Sequence, residues 1–214
     1  MSEISEVFVR LHARLAPVAG VPEIRLHQAD EPIGLWELTE GEFRSEQPPP
    51  FWAFAWAGGQ GLARHLLDHP EAVAGRRVLD LASGSGLVAI AAARAGAAAV
   101  RAVDIDPLAV AAVGLNAEAN GVAVTAELAD VLDSDPADAE VVLAGDVFYS
   151  QAMTDRVLRF LRRAARSGVQ VLVGDPGRAF LPRTVFRRVG AYDVPVPTAL
   201  ESVGSKTTTI WALP

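Results

Sequence analysis

From Gly59 to about residue 173 the sequence alternates at short spacing between helical stripes and brief apolar runs, and few folds satisfy that alternation. A helix is expected over 59–69, then a strand at 77–81, a helix at 86–95 and a strand at 99–103. The next helix, 107–120, has Pro107 in its first turn and Gly121 just past its end, the asymmetry that helices favour. Strands near 123–127 and 140–145, a helix over 151–166 and a strand at 169–173 complete the series. Strands joined through helices run parallel, and a parallel sheet must be covered on both faces. The expected class is therefore α/β, with helices on both faces. The closing segments "AYDVPVPT" and "KTTTIWAL" are extended, with no helical stripe between them, and are expected to pair antiparallel at one edge.

Half of the 214 residues are apolar and 21% are charged, which suits a soluble domain with a sizeable core. No apolar run approaches the length of a membrane span, and the acidic start "MSEISEVFVR" lacks the basic region of a secretory signal. A cytoplasmic location and no membrane partner are expected. The absence of cysteine excludes disulfides, thiolate metal sites and a thiol nucleophile. The four histidines lack metal-ligand company, so no metal is expected; His65 and His69, four apart on a helix, read as surface residues. A net charge of −7 argues against a nucleic-acid partner and is compatible with a cationic substrate.

Ahead of the alternating region, Val7, Leu11 and Leu15 form an apolar stripe that predicts a short helix over 5–15. "EIRLHQ" and "IGLWEL" read as the strands of a hairpin turning at Asp30-Glu31-Pro32. The prolines of "SEQPPP" then break regular structure. An N-terminal extension over 1–48 and a main domain over 49–214 are expected.

The first strand of the series runs into a glycine-rich turn, "VLDLASGSG" at 78–86. Such a turn at the carboxyl end of a parallel strand presents backbone N–H groups to a nucleotide-like ligand. A dinucleotide site asks for G-x-G-x-x-G; Gly84 and Gly86 fit, and Ala89 takes the third place. Asp80, four residues before Gly84, separates the ligands, because a carboxylate repels a pyrophosphate and attracts a cation. S-adenosylmethionine carries an ammonium and a sulfonium and no phosphate, so D-x-A-S-G-S-G, which includes Ala82 and Ser85, fits it better. In "VRAVDIDP", Asp104 with Ile105 beside it lies 18 residues after Gly86, near the offset at which an acid meets ribose hydroxyls. Asp106, before Pro107, reads as a helix N-cap. In "AELADVLD", Asp130 ends a strand beside Val131 and Leu132, an acceptor and apolar flank suited to an adenine.

The fourth strand leads into "LAGDVFYS". Amino-methylating enzymes carry a D/N-P-P-Y element at this place; here the outer members stand as Asp146 and Tyr149, with Val147 and Phe148 replacing the prolines. In-line transfer depends on orientation more than on acid–base steps. Asp146 is expected to accept an N–H bond from the amine and to stabilise the charge growing on nitrogen. Phe148 and Tyr149 are expected to wall an alkyl-ammonium chain. An N-cap for helix 151–166 is the alternative role of Asp146. Upstream, Trp52 and Trp56 either cover the cofactor and substrate channel or pack in the core. Asp175 and Arg178 of "VGDPGR" are second-rank candidates for substrate contact.

These stretches resemble the seven-β-strand protein lysine methyltransferases, most closely the branch that modifies the β subunit of electron-transfer flavoprotein. The marks are "PFWAFAWAGGQGLARHLLDHP", "VLDLASGSG", "DIDPLA", "GDVFY", "GDPGR" and "TTTIWALP". The resemblance implies a Rossmann-like seven-stranded sheet, mostly parallel, with an antiparallel C-terminal edge strand. It implies S-adenosyl-L-methionine as cofactor, a protein-lysine substrate in the flavoprotein β subunit, and cofactor contacts at Asp80, Gly84, Gly86, Asp104 and Asp130. Trp56, Ala82, Ser85, Ile105, Val131 and Gly145 are grouped with that cofactor set, and amine positioning falls to Asp146. A monomer is expected. Methylation of a small amine such as nicotinamide, or of a ribosomal protein, is the alternative within the methyltransferases; a dinucleotide-dependent oxidoreductase and a non-catalytic binding module stand outside them.

Overall fold

The computed structural model describes residues 3–29, 49–196 and 204–214. The chain opens with α1 (Glu3–His12) and a hairpin of β1 (Arg14–Val18) and β2 (Val21–Gln28). A 3₁₀ turn at Phe51–Ala53 leads to α2 (Ala57–Asp68). Then follow β3 (Arg77–Leu81), α3 (Leu87–Arg94), β4 (Ala99–Asp104), α4 (Pro107–Ala119), β5 (Thr125–Leu128), β6 (Val141–Gly145), α5 (Gln151–Arg166) and β7 (Gln170–Asp175). The tail forms β8 (Arg187–Pro195) and β9 (Ser205–Leu213).

Among the described residues seven strands make one sheet in the order β5-β4-β3-β6-β7-β9-β8. The first five pair parallel, and β9 runs antiparallel to both β7 and β8. The reversed C-terminal strand is as expected, but it lies one place in from the edge, with β8 outermost. Burial explains the order: β9 sinks Thr208 and Ile210 completely, whereas β8 buries only Val194 and starts with exposed Arg187 and Arg188. Charged residues suit an edge, where they discourage pairing with another chain.

Alternate strand residues serve two cores. Val78, Val141, Leu143 and Leu172 pack toward α2 and α3, while Leu79, Val142, Ala144, Val171 and Val173 pack toward α5. Helix α5 turns Val157, Phe160, Leu161 and Ala164 inward and keeps its arginines on the opposite face. Val18, Val21, Ile24 and Leu26 of the hairpin join the α3-side core, so the described N-terminal residues share the core of the main sheet. Among the described residues no helix is long and apolar enough to cross a membrane.

Three expectations shift. Helix α1 ends at His12, Leu15 lies in β1, and the buried residue is Val9, which packs with Trp52 and α4; Val7 and Leu11 face solvent. A stripe of apolar residues gives a helix face but not its partner. "EIRLHQ" does form a strand within β2, paired with β1; residues 30–38, with the expected turn and second strand, lie outside the described residues. His65 is buried rather than at the surface, because α2 lies against the sheet and sets its ring beside Tyr192, Nδ1 to hydroxyl 3.1 Å.

Strand β3 feeds β4 on one side and pairs with β6 on the other, so the winding reverses between β3 and β6. In sheets of this kind ligands bind beyond the carboxyl ends at that reversal.

Candidate active site

Read along the sheet, five adjacent strands deliver an aspartate at or just past their carboxyl ends: Asp130, Asp104, Asp80, Asp146 and Asp175 on β5, β4, β3, β6 and β7. A cavity of about 240 Å³ opens over the central three. Its walls come from the glycine turn, from Ile105 and Asp106, from Gly145 to Tyr149, and from the aromatic segment Phe51, Trp52, Phe54 and Trp56.

On one side the glycine turn is curled by left-handed backbone at Ala82 (φ 52°), Gly84 (φ 52°) and Gly86 (φ 79°). Glycine takes this conformation freely, whereas alanine bears a cost of about 1–2 kcal/mol. The curl lets Gly84 N–H donate to Asp104 Oδ2 at 2.9 Å, while Asp106 N–H donates to Asp104 Oδ1 at 3.0 Å. Asp80 lies buried beneath the turn at the floor of the cavity and accepts from Ala89 N–H at 3.1 Å, a carboxylate set into the N-terminus of α3. Burial pushes the Asp80 carboxyl up to about 8, with neighbouring Asp104 adding to the shift and the Ala89 amide opposing it. Burial likewise raises Asp104. Asp106 caps α4 through Leu108 N–H at 2.8 Å, as expected of it.

On the other side stands Asp146, itself in left-handed backbone at φ 57°. Asp tolerates that conformation better than most residues, and here it turns the carboxylate under the first turn of α2. Gly59 N–H donates to Oδ2 at 2.9 Å, and Arg178 grips Oδ1 through Nη2 at 2.7 Å and Nε at 3.2 Å. Burial raises the Asp146 carboxyl; Arg178 and the Gly59 and Gly58 amides oppose it. The run "AGGQG" now has a reason. A Cβ on Gly58 would overlap both the Asp146 carboxylate and the Gly174 carbonyl, and one on Gly145 would lie 3.0 Å from Gly59 Cα. Glycines on both partners let the helix end sit directly on β6 and β7. Asp175 receives Gly177 N–H at 2.7 Å and Arg178 N–H at 2.8 Å on Oδ1, so it shapes the turn that carries Arg178; its buried Oδ2 has no partner among the described residues.

Of the residues expected at the site, Trp56, Asp80, Ala82, Gly84, Ser85, Asp104, Ile105, Gly145, Asp146 and Tyr149 line the cavity together. Phe148 does not. Its ring is wholly buried against Phe186 at 5.8 Å in the α5-side core, because successive residues after β6 point to opposite sides. Tyr149 alone faces the cavity, with Phe51 5.9 Å away as the second ring. Gly86 lies behind the turn, where a Cβ would come 3.1 Å from Val113 on α4. Asp130 and Val131 are outside the lining, and Asp130 instead holds Arg156 at 3.0 Å. The N-cap of α5 is Ser150, not Asp146. Trp52 proves to be both core and wall: it is fully buried and lines the cavity. Sequence reasoning ranked Arg178 too low and missed Phe51, Phe54, Ser83 and Met153; the aromatic "PFWAF" was the available signal for the first pair. It also missed Asn116, which accepts His27 N–H at 2.8 Å and donates to Ser85 carbonyl at 2.8 Å, tying β2 to the glycine turn.

No group of side chains suited to a metal occurs among the described residues. Among the described residues Arg178 is the one arginine or lysine of the lining, and Asp146 already holds it. A phosphate at the glycine turn would therefore meet buried carboxylates with no free cation beside them, whereas a cationic ligand meets complementary charge.

Comparison with known proteins agrees with this geometry. Residues 65–165 match the family of ribosomal protein L11 methyltransferases (PrmA). The crystal structure of ribosomal protein L11 methylase from Lactobacillus delbrueckii subsp. bulgaricus superposes with a TM-score of 0.53 at 21% identity, covering 79% of this chain and 91% of that one, a likeness of fold. In sequence the chain is 36% identical over 214 residues to the electron transfer flavoprotein beta subunit lysine methyltransferase of Xenopus laevis, covering 96% of this chain and 85% of that protein. The corresponding enzyme of Danio rerio is 38% identical over 196 residues, 89% of this chain and 75% of that protein. With that identity over nearly its whole length, the chain is a methyltransferase and belongs to the family of electron transfer flavoprotein beta subunit lysine methyltransferases.

Proposed function

We propose that this enzyme transfers a methyl group from S-adenosyl-L-methionine to lysine Nε atoms of a protein, with the β subunit of electron-transfer flavoprotein as first substrate. The observation that carries the reading is the cavity at the winding reversal, floored by buried carboxylates and, among the described residues, free of unpaired cations. When bound, S-adenosylmethionine supplies a methyl group on a sulfonium, open to displacement by a neutral amine.

Asp80 supports the ammonium end of such a ligand, since its Oδ1 accepts no hydrogen bond from the described residues. Asp104 suits a ribose diol: Gly84 N–H holds one oxygen and Asp106 N–H the other, and the carboxylate keeps lone pairs toward the cavity for hydroxyls. Ala82, Gly84 and Ser85 supply the close backbone surface, with Ile105 flanking the base and Trp56 and Gly145 on the reacting side. Asp146 and Arg178 form a near-neutral pair at the mouth of this pocket. A lone carboxylate would hold an incoming lysine as its ammonium, which has no lone pair to donate. Compensated by Arg178, Asp146 orients an N–H of the neutral amine and meets the positive charge that grows on nitrogen. Tyr149 and Phe51 flank the alkyl stem.

The test is mass spectrometry of purified electron-transfer flavoprotein after incubation with enzyme and isotopically labelled S-adenosylmethionine. Labelled methyl groups on β-subunit lysines are expected. Label confined to small molecules such as nicotinamide would overturn the protein-substrate assignment, and tight binding of a nicotinamide dinucleotide with none of S-adenosylmethionine would overturn the cofactor.

A further inference from the structure

Charge on this acidic chain is unevenly placed. Nine of its 19 lysines and arginines fall between residues 156 and 188, a stretch whose only acid is the buried Asp175. Several arginines have acidic partners: Arg10 with Glu118, Arg64 with Glu23 and Asp68, Arg77 with Glu140, Arg101 with Glu127, and within the stretch Arg156 with Asp130 and Asp133 and Arg178 with Asp146. By contrast Arg159, Arg162, Arg166, Arg183 and Arg188 are exposed, and none forms an ion pair or side-chain hydrogen bond with a described residue.

The five share one side of the molecule. Arg159, Arg162 and Arg166 project from the solvent face of α5, opposite its buried residues. Arg188 pairs with Trp211 in the register of β8 and β9, and so lies on the sheet face that α5 covers. Between them is a groove of about 330 Å³ with Ala165, Val185 and Leu213 in its walls and Arg162 and Arg166 at its rim. Arg183 extends the patch toward the active site: its Nη2 stands 3.2 Å from where a Cβ on Gly177 would be, next to the Arg178 that grips Asp146. At the near end of α5, Met153 lines the active-site cavity. The arginine face thus starts at Arg159, not quite two turns beyond Met153, and continues to the end of a helix about 24 Å long.

We propose that this face docks an acidic patch of the protein substrate next to the target lysine. The proposal rests on the protein-lysine reading above. Guanidinium groups are weakly hydrated and match carboxylates in bidentate geometry; with no partner among the described residues, these need break no ion pair there to engage one. The groove between them, with Ala165, Val185 and Leu213 beside the guanidinium groups, offers apolar contact next to the charges. A folded partner with a local acidic patch fits the dimensions. A long polyanion such as RNA would run onto the exposed acids that flank the patch, Asp133 and Asp155 among them, on a chain of net charge −7.

The experiment compares initial rates on intact electron-transfer flavoprotein and on a short peptide copied from its methylated segment. The wild type is set against the combined Arg159→Glu, Arg162→Glu, Arg166→Glu variant, with the glutamine version as a milder control and melting curves to establish folding. For the intact protein KM is expected to rise about tenfold or more, with kcat, S-adenosylmethionine affinity and peptide methylation unchanged within about twofold. The wild-type KM should also climb with salt, and the variant's much less. An unchanged KM for the intact flavoprotein overturns the docking face while leaving the enzyme's function standing. An RNA complex formed by the wild type and lost in the variant overturns it in favour of nucleic acid. Failure of the wild type to methylate either substrate removes the protein-lysine reading and this proposal together.

Discussion

The two halves of the cavity are built over different lengths of chain. On the glycine-turn side the hydrogen bonds close over nine residues from Asp80 to Ala89 and 20 from Gly84 to Asp104. On the transfer side Asp146 is held from 87 residues upstream by Gly59 and from 32 residues downstream by Arg178. One half is a property of a strand–turn–helix unit; the other exists only when α2 is docked on β6 and β7. Cofactor binding and methyl transfer should therefore be separable, with the second the easier to damage from a distance.

The sharpest separation comes from Asp146→Asn. An amide offers one acceptor, so it cannot satisfy Arg178 on one side and the Gly59 N–H on the other. Turnover is expected to fall about 10²–10³-fold, the range seen when a preorganised charge stabiliser is removed. S-adenosylmethionine affinity, measured by calorimetry, should stay within a few-fold; an equal loss of both would break the distinction between the halves. Gly58→Ala attacks the same half through packing. Its Cβ overlaps backbone as well as the Asp146 carboxylate, so relief requires α2 to move. A loss of about 1–3 kcal/mol in denaturant unfolding is expected, together with a larger drop in kcat than in cofactor affinity. Gly59→Ala is the control for the stability loss alone, because a Cβ there meets nothing closer than Leu87 and Val88 at 3.9 Å. Asp104→Ala is the reciprocal experiment. It removes the carboxylate bonds to Gly84 and Asp106 that brace the turn, and should weaken cofactor binding about 10- to 100-fold while kcat at saturating cofactor changes little.

The same contrast explains what could be read from the sequence. The glycine turn, Asp80, Asp104 and the Asp106 cap were legible because each is defined by spacing within one strand–turn–helix unit. Helix α5 and strand β3 fall where their periodicity sets them. Phe148 and Tyr149 were read as a pair, but which one faces the cavity depends on the packing after β6, and no spacing encodes that. Asp130 looked equivalent to Asp104 until α5 brought Arg156 to it. The role of "AGGQG" was invisible for the same reason: Gly58 is dictated by Gly174 and Asp146 and Gly61 by Thr208, all remote in sequence. Arg178 could be ranked only by its position on the carboxyl edge of the sheet, since its grip on Asp146 is a tertiary fact.

The smallest expected effect concerns the buried acid of the glycine-turn half. With its carboxyl pushed up to about 8 by burial, Asp80 in the folded protein keeps a proton that the unfolded chain, at an ordinary value of 3.8, has already released. The folded state then binds more protons than the unfolded one across that window. Its stability contribution is complete below the unfolded value and is lost as pH rises toward about 8, with a slope of at most about 1.4 kcal/mol per pH unit. A cationic ligand reverses the preference, because an ammonium beside Oδ1 favours the carboxylate, and binding must displace the proton. S-adenosylmethionine affinity should accordingly rise about three- to tenfold between about pH 6.5 and 7.5 and level off above about 8, with proton release detectable as a buffer-dependent heat of binding. Asp80→Asn should bind more weakly and lose both the pH dependence and the proton release. Asp146→Asn should retain both, because Asp146 and Arg178 belong to the other half of the cavity. A pH slope that disappears with Asp146 rather than with Asp80 would mean that the two halves titrate as one unit, and the separation drawn from their hydrogen bonds would fail.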